Sequence, residues 1–381
     1  MANKKRLGIL FGGRSAEHEI SIQSARNIIA AADPEKYEVV PIAITKQGRW
    51  CVGAFPPEPN GHGAIDSIPV GAVEVIPSAC PDGMGLLVPL ASQNATTFPG
   101  ALDVVFPVLH GTYGEDGTVQ GLLELAEIPY VGSGVLGSAV GMDKVVMKRL
   151  FQQAKLPVVP YVATSRRDIQ VRLDELCKEI EAEFRYPVFV KPANMGSSVG
   201  VSKASNRDEL VDALQLAGDF DLKILVERGM DAREIECSVL GNEDPISSIP
   251  GEIVPGNEFY DYAAKYLDDN SQLLIPAPLK PAQTERAQKL AVEAFKSLDC
   301  AGMARVDFFL EKKTGKFYVN EINTIPGFTR ISMYPQLWAA SGLSCSKLID
   351  RLVELAIKRH REKARTRYSL NPQPRTNDSS H

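Results

Sequence analysis

The sequence predicts a mixed α/β (α+β) protein of three domains, the first built on a parallel sheet. Three observations carry this. Strand-like and helix-like segments alternate at the start of the chain. The length, 381 residues, corresponds at roughly 150 residues per domain to two or three domains. A late pair of strands around a tight turn reads as an antiparallel hairpin.

The elements follow in order. Residues 6–13, R-L-G-I-L-F-G-G, read as a short buried strand ending in a glycine turn. Ser15 stands where a helix N-cap belongs, and a helix is expected through Ile20, Ile28 and Ile29 toward Asp33-Pro34. Residues 39–45 give a second strand, so the start is strand–helix–strand. Residues 53–100, rich in Gly, Pro, Ser and Asn, are expected to be irregular with two short strands. A strand at 103–109, a helix at 117–127 and a short strand at 129–132 complete the first unit. The second contains helices at 138–154 and 173–184 and strands at 188–191, 199–203 and 223–227. The third has strands near 234–240 and 246–254, a polar loop at 256–272, a helix at 282–298, strands at 303–310 and 316–322, and helices at 333–340 and 344–363. The domains are drawn at 1–133, 134–226 and 227–363. The polar residues 364–381 are expected to be a disordered tail.

Composition narrows the function. Acids outnumber bases, 47 to 42, for a formal charge of −5. That argues against nucleic acid and against a polybasic membrane surface as partners. No apolar run approaches the ~20 residues of a membrane helix, and the first residues lack the features of a secretory signal. A cytoplasmic protein is expected. The six cysteines form no C-x-x-C pair and no zinc spacing, and are read as buried thiols.

The most informative segment is G-M-A-R-V-D-F-F-L followed, across Thr314-Gly315, by F-Y-V-N-E-I-N. With the turn centred on Thr314, Asp307 lies opposite Glu321 and Arg305 opposite Asn323. Side chains alternate along a strand, so these four share one face. Two carboxylates and an amide oxygen form a hard-oxygen site suited to Mg²⁺ held together with substrate phosphates. Arg305 beside them can offset phosphoryl charge. The plainer reading, a solvated polar face, is disfavoured by the apolar alternation of Val306, Phe308, Val319 and Ile322.

A second segment, V-F-V-K-P-A-N-M-G-S-S-V-G, ends a strand at Lys191 and enters a glycine–serine loop. Backbone N–H groups at Gly196, Ser197 and Ser198 can cradle phosphate. This is not a Walker A loop, and such a turn is often only a hairpin. Gly132-x-Gly134-x-x-Gly137 matches a dinucleotide fingerprint in letters only, and its small residues are read as serving close packing. Glu17, His110 and the loop F-Y-D-Y-A-A-K-Y are each unspecific alone. Strand ends of open α/β sheets bind ligands, so Glu17 and His110 could converge there.

Taken together, F-G-G-R-S-A-E-H-E-I-S, H-G-T-Y-G-E-D-G-T-V-Q-G, V-K-P-A-N-M-G-S-S-V-G, E-F-Y-D-Y-A-A-K-Y, A-R-V-D-F-F and V-N-E-I-N-T-I-P-G-F-T resemble the D-alanine–D-alanine ligase family. They occur in that family's order and span residues 6–340. The resemblance implies a three-domain ATP-grasp fold and the ligation of two D-alanines, with ATP as substrate, through an acyl phosphate, for peptidoglycan precursors. It implies two Mg²⁺, replaceable by Mn²⁺, on Asp307, Glu321 and Asn323, and a homodimer. Glu17 would hold the first D-alanine's ammonium, with Ser197 and Tyr266 in the same network. Lys265 and Arg305 would contact the transferring phosphate, and Lys144, Lys191 and Ser198 the ATP phosphates. Glu227 and Arg228 would face the adenine and Glu234 the ribose. The Gly327 N–H with Arg305 would form an oxyanion hole. Ser332, with Met333 beside it, would take the second D-alanine's carboxylate. His110 and Glu115 would lie near substrate with roles left open. Arg228 stands where a lysine is frequent and Met333 where a leucine is frequent. Two rivals remain: a D-alanine–D-lactate ligase, which the Lys265-Tyr266 pair speaks against, and a non-catalytic nucleotide-binding protein of the same fold, which the complete set of hairpin side chains speaks against.

Overall fold

A computed structural model of the protein describes residues 4–53, 65–69, 71–79, 87–89, 101–255 and 272–368. Lys265, Tyr266, the expected loop at 256–271 and the tail beyond 368 lie outside the described residues.

The first sheet runs β5-β4-β3-β2-β1-β6. Its centre is β1 (Lys5–Gly12), parallel to both β2 (Tyr37–Ile44) and β6 (Val104–Pro107). Helix α1 (His18–Ala31) links β1 to β2. The expected parallel pairing is confined to these three strands and a bridge from Val105 to Tyr130, within the short strand expected at 129–132. After β2 the chain reverses through a tight turn, where Gly48 at φ +86° donates its N–H to Thr45 O. So β3 (Trp50–Val52) pairs antiparallel, as do β4 (Val73–Pro77) and β5 (Leu87–Pro89) beyond it. A tight turn can only return an antiparallel neighbour, since a parallel one needs a crossover.

Helix α1 starts later than the sequence suggests. The Ser15 hydroxyl accepts the Glu17 N–H at 3.2 Å in a local turn instead of capping, and helical backbone begins at His18. Past β6, α2 (Thr118–Leu125) follows. The expected helix at 138–154 is two, α3 (Val135–Met142) and α4 (Lys144–Gln153). Asp143 breaks it in an extended conformation and caps α4 through the N–H groups of Val145 and Val146, both at 3.0 Å. Close packing explains the glycine-rich stretch here. A Cβ on Gly137 would lie 2.8 Å from Asp299 O.

The second sheet, β7-β10-β8-β9, is antiparallel. It comprises β7 (Tyr161–Ser165), β8 (Val188–Pro192), β9 (Ser202–Ala204) and β10 (Lys223–Arg228). Helices α5 (Arg166–Glu183) and α6 (Arg207–Phe220) bury Leu176, Ile180, Leu210 and Leu214 against it. Neither β7 nor α6 was expected, and α5 begins seven residues before the expected 173.

The third sheet runs β14-β13-β11-β15-β16, with β12 on β11. Its strands are β11 (Ala232–Gly241), β12 (Ile246–Ser247), β13 (Gly251–Val254), β14 (Gln272–Leu274), β15 (Gly302–Glu311) and β16 (Phe317–Asn323). The strand expected at 246–254 is thus divided in two. Helix α7 (Pro281–Ser297) buries Ala287, Leu290, Ala291 and Ala294, a stripe at helical spacing, on this sheet. Helices α8 (Met333–Ala340) and α9 (Cys345–Lys363) close the chain. Leu348 and Leu352 of α9 share one core with Leu7, Ile9 and Phe106 of the first sheet and Met303 of the third. The first and last parts of the chain are therefore joined by a common apolar interior, which fixes the chamber between them.

Candidate active site

The hairpin β15–β16 forms the floor of the site. Arg305 pairs with Asn323 and Asp307 with Glu321, the register expected from the sequence. Nearer the turn the ladder runs differently, with Phe308 opposite Val319 and Leu310 opposite Phe317. The turn centre therefore lies half a residue before Thr314. A bulge at Asn320 inserts one residue and restores the register at the acidic pairs. Val306, Phe308, Val319 and Ile322 are buried beneath, as expected.

Charges of opposite sign alternate on the upper face. Arg305 makes a two-pronged contact with Asp307, Nε and Nη2 each at 2.7 Å, and Asn323 donates to the same carboxylate at 3.0 Å. Glu236, opposite Asp307 on β11, lies 3.0 Å from Arg305 Nε. Lys144, the first residue of α4, reaches Glu321 at 3.4 Å and donates to Met195 O at 2.9 Å. Among the described residues, no three acidic, imidazole or thiol groups stand together as a ready metal cage. Asp307, Glu321 and the Asn323 amide nevertheless fit a hard cation that takes the rest of its shell from phosphate oxygens.

Above the floor lies the loop between β8 and β9. Its left-handed residues are Ser197 (φ 49°), Ser198 (φ 59°) and Gly200 (φ 72°). The two serines adopt a backbone that L-residues usually avoid, a strain typical of ligand loops. The Ser197 hydroxyl donates to Glu17 Oε1. Gly196 lies so close that a Cβ there would sit 2.6 Å from Glu17 Oε2.

Glu17, His110 and Glu115 do converge, at the carboxyl ends of β1 and β6. All three are buried. Glu115 accepts N–H groups from Gly111 (2.8 Å) and Ile325 (3.1 Å). Burial, with Glu17 nearby, pushes its pKa up to about 8. His110 holds Ile325 O through Nδ1 at 3.0 Å, and burial lowers its pKa. Ser332 precedes α8 but does not cap it. Its hydroxyl accepts the Thr329 N–H at 2.9 Å and lies where a Cβ on Gly327 would approach to 2.7 Å. Met333 is buried with Ile253 and Leu337.

The second sheet and α4 together supply the cations of an adjoining cleft. Glu227 is buried between Lys148 and Lys191, each 2.5 Å from one carboxylate oxygen. Burial alone would raise its pKa, but the two ammonium groups outweigh it and hold the carboxyl down to about 2. Arg228 reaches Glu311 at 3.5 Å, and both Arg228 and Glu234 line the cleft. This cleft and the chamber holding Glu17, His110, Glu115, Gly327 and Ser332 share Lys144, Met195, Ser197, Ile253 and Glu321 as walls.

Sequence reasoning overlooked Glu236 and Lys148. Both had a signal. Glu236 shares a strand face with Glu234, and Lys148 follows Lys144 by four residues on one helix.

A lysine-lined cleft between two antiparallel sheets, floored by an acidic hairpin and opening into a second polar chamber, defines an ATP-dependent ligase of the ATP-grasp class. Residues 6–133 match the family model described as D-ala D-ala ligase N-terminus, and residues 150–354 that described as D-ala D-ala ligase C-terminus. The chain belongs to the D-alanine–D-alanine ligase family. It is 52% identical to a D-alanine–D-alanine ligase of Thermoanaerobacter sp. (strain X514), over 95% of this chain and 99% of that one. It is 50% identical to one from Ruminiclostridium cellulolyticum, over 95% and 98%. Among solved structures, the D-alanine-D-alanine ligase from Coxiella burnetii superposes with TM-score 0.80 at 39% identity, covering 95% of this chain and 97% of that one. The VanG D-Ala:D-Ser ligase from Enterococcus faecalis superposes with TM-score 0.79 at 35% identity, covering 93% and 100%.

Proposed function

We infer that the protein joins two D-alanines at the expense of ATP, giving D-alanyl-D-alanine, ADP and phosphate. The observation that carries this is the shared wall of the two cavities. Lys144, Ser197 and Glu321 line both cavities and Glu17 lines the chamber, so a γ-phosphate bound beside Lys144 and Glu321 would be next to a carboxylate lodged near Glu17 and Ser197.

The first D-alanine sits with its ammonium on Glu17, which the Ser197 hydroxyl orients. Its carboxylate oxygen attacks the γ-phosphorus, and the bond to the ADP oxygen breaks. Lys144, Lys191 and Arg305 spread the charge of the moving phosphoryl group. A divalent cation on Asp307, Glu321 and Asn323, Mg²⁺ with two ions as the proposed complement, supplies neutralising charge to the phosphate oxygens when bound. The neutral amine of the second D-alanine, its carboxylate at Ser332, then attacks the acyl carbonyl. The Gly327 N–H and Arg305 stabilise the tetrahedral oxyanion. Phosphate leaves and the amine gives up a proton. By the family resemblance, Lys265 would contact the transferring phosphate and Tyr266 would join the network of Glu17 and Ser197. Glu227 positions Lys191 with its carboxylate, while Arg228 and Glu234 line the base and ribose end.

The reaction is placed in the cytoplasm, where ATP is supplied. Among the described residues no helix is long and apolar enough to cross a membrane. A homodimer is supported by the family resemblance and by exposed Leu125, Val135 and Leu136 on the adjoining α2 and α3.

The test is phosphate release from ATP with D-alanine, against L-alanine and against equal mixtures with D-lactate or D-serine. D-alanyl-D-alanine as the main product is expected. A predominant ester, or the D-serine dipeptide, would reassign the second substrate. ATP binding with no product under any condition would identify a non-catalytic nucleotide binder.

A further inference from the structure

The segment after β16 leaves the hairpin at Thr324 and passes along the amino-acid chamber with Gly327 in its middle. Main-chain groups on both sides of Gly327 are held by side chains from distant parts of the chain. Ile325 N–H donates to Glu115 at 3.1 Å, and Ile325 O accepts from His110 Nδ1 at 3.0 Å. Phe328 N–H donates to Ser24 Oγ at 3.1 Å, and Phe328 O accepts from Asn27 Nδ2 at 3.0 Å. Ser24 and Asn27 are three residues apart on α1, hence on one helix face. Neither lines the chamber.

The protons in this network have one consistent order. A carbonyl only accepts, so His110 carries its proton on Nδ1. Its Nε2 is then an acceptor, 3.2 Å from Ser24 Oγ. The Ser24 hydroxyl therefore donates to His110 and accepts from Phe328 N–H. Burial, which disfavours the imidazolium, keeps His110 in this neutral form. The Phe328 ring is also seated edge-on against Phe106, with centroids 5.6 Å apart.

We propose that Ser24 and Asn27 are positioning residues that, acting with His110 and Glu115, aim the Gly327 N–H at the oxyanion of the second half-reaction. This rests on the ligase reading above. The hairpin anchors the segment at one end only. The other anchor is α1, whose N-terminal end also presents Glu17. One helix thus sets both where the first D-alanine sits and where its carbonyl oxygen is received. An oxyanion donor must lie within a few tenths of an ångström of its place, and a misplacement near 1 Å costs on the order of a hundredfold in rate.

The test compares wild type with Ser24→Ala, Ser24→Thr, Asn27→Ala and Asn27→Asp. Measured are kcat, KM for ATP, and affinity for a phosphinate mimic of the tetrahedral intermediate in the presence of ATP. The two alanine variants are expected to lose roughly tenfold to a hundredfold in kcat with KM for ATP within about twofold. Phosphinate affinity falls by a similar factor, because the mimic reads the oxyanion site. Ser24→Thr, which restores a hydroxyl, recovers most of kcat. Asn27→Asp, which sets a carboxylate against a carbonyl, does at least as badly as Asn27→Ala. Asn27 is only half-buried, so its variants decide the matter if Ser24→Ala folds poorly. Lower thermal stability with unchanged kcat and phosphinate affinity would overturn the proposal, as would a KM for ATP that moves as far as kcat. If wild type itself forms no D-alanyl-D-alanine, the ligase reading fails instead.

Discussion

The amino-acid chamber and the nucleotide cleft share a wall but are held by different forces. In the chamber, hydrogen bonds link side chains to main-chain groups far away in the chain: Glu115 and His110 to Ile325, and Ser24 and Asn27 to Phe328. In the cleft, ion pairs dominate: Lys148 and Lys191 on Glu227, Lys144 on Glu321, and Arg305 at the junction on Glu236 and Asp307. Hydrogen bonds are directional and fix where atoms are. Ammonium pairs are less directional and can follow charge as it moves. Carbon chemistry at the acyl centre needs the first property, and phosphoryl transfer needs the second. Errors in the chamber should therefore read as lost geometry, and errors in the cleft as lost charge balance.

The sharpest way to break this distinction is at the cleft floor. Glu321→Gln keeps the shape and removes one charge. It is expected to lower turnover on the order of 10²–10³-fold with unchanged circular dichroism. Near-normal turnover at saturating Mg²⁺ would show that charge at the hairpin does not matter. Next is Lys148→Met, which leaves the buried Glu227 with one cation. Removing one partner of a buried pair costs about 3–5 kcal/mol, and urea unfolding at pH 7 measures it. Adding Glu227→Gln should recover much of the loss. A cost below about 1 kcal/mol would mean the pair is not what holds the cleft together.

In the chamber, Gly196→Ala puts a methyl group 2.6 Å from Glu17 Oε2, so the carboxylate must shift. Such crowding costs about 1–3 kcal/mol. The expected readout is a raised KM for D-alanine with KM for ATP unchanged. An equal rise in both would erase the separation between the two regions. A pH-dependent test of the chamber concerns Glu115, whose pKa is raised to about 8 by burial and by Glu17. A group raised in the folded state contributes stability that is fully present below its unfolded pKa of about 4.5. That contribution is lost as the pH climbs through 8. The stability of wild type relative to Glu115→Gln should therefore fall between pH 4.5 and 8. A flat difference across that window would show that Glu115 does not titrate there.

The same contrast explains what could be read from the sequence. The hairpin pairs are local. One turn and strict alternation put Asp307 across from Glu321, although the turn centre was half a residue off and Asn320 compensated. Helix breaks were less legible. Apolar spacing runs unbroken through Met142 and Val145, so only the capping side chain of Asp143 marks the division. Helix α6 went unread although Leu210, Ala213, Leu214 and Ala217 have helical spacing, because its buried face holds only two large side chains and includes Gly218. The convergence of Glu17 with His110 was legible only as a consequence of parallel strand ends, since the two lie on distant segments, and Glu115 follows His110 in the same loop. Ser24 and Asn27 had no signal, because the Phe328 groups they hold are main-chain atoms that any residue would supply.

The extra residue at Asn320 bears on how this hairpin could be lengthened or shortened. Without it, the outer pairs from Phe308–Val319 to Leu310–Phe317 and the inner pairs at Asp307–Glu321 and Arg305–Asn323 would merge into one straight ladder. Asp307 would still face Glu321. Pairing therefore does not require the insertion. What it supplies is local curvature and two consecutive side chains, Asn320 and Glu321, that both line the cleft. A chain one residue shorter would keep Asp307, Glu321 and Asn323 on their face and lose the bend together with the Asn320 side chain, a change of curvature that no substitution at these positions makes.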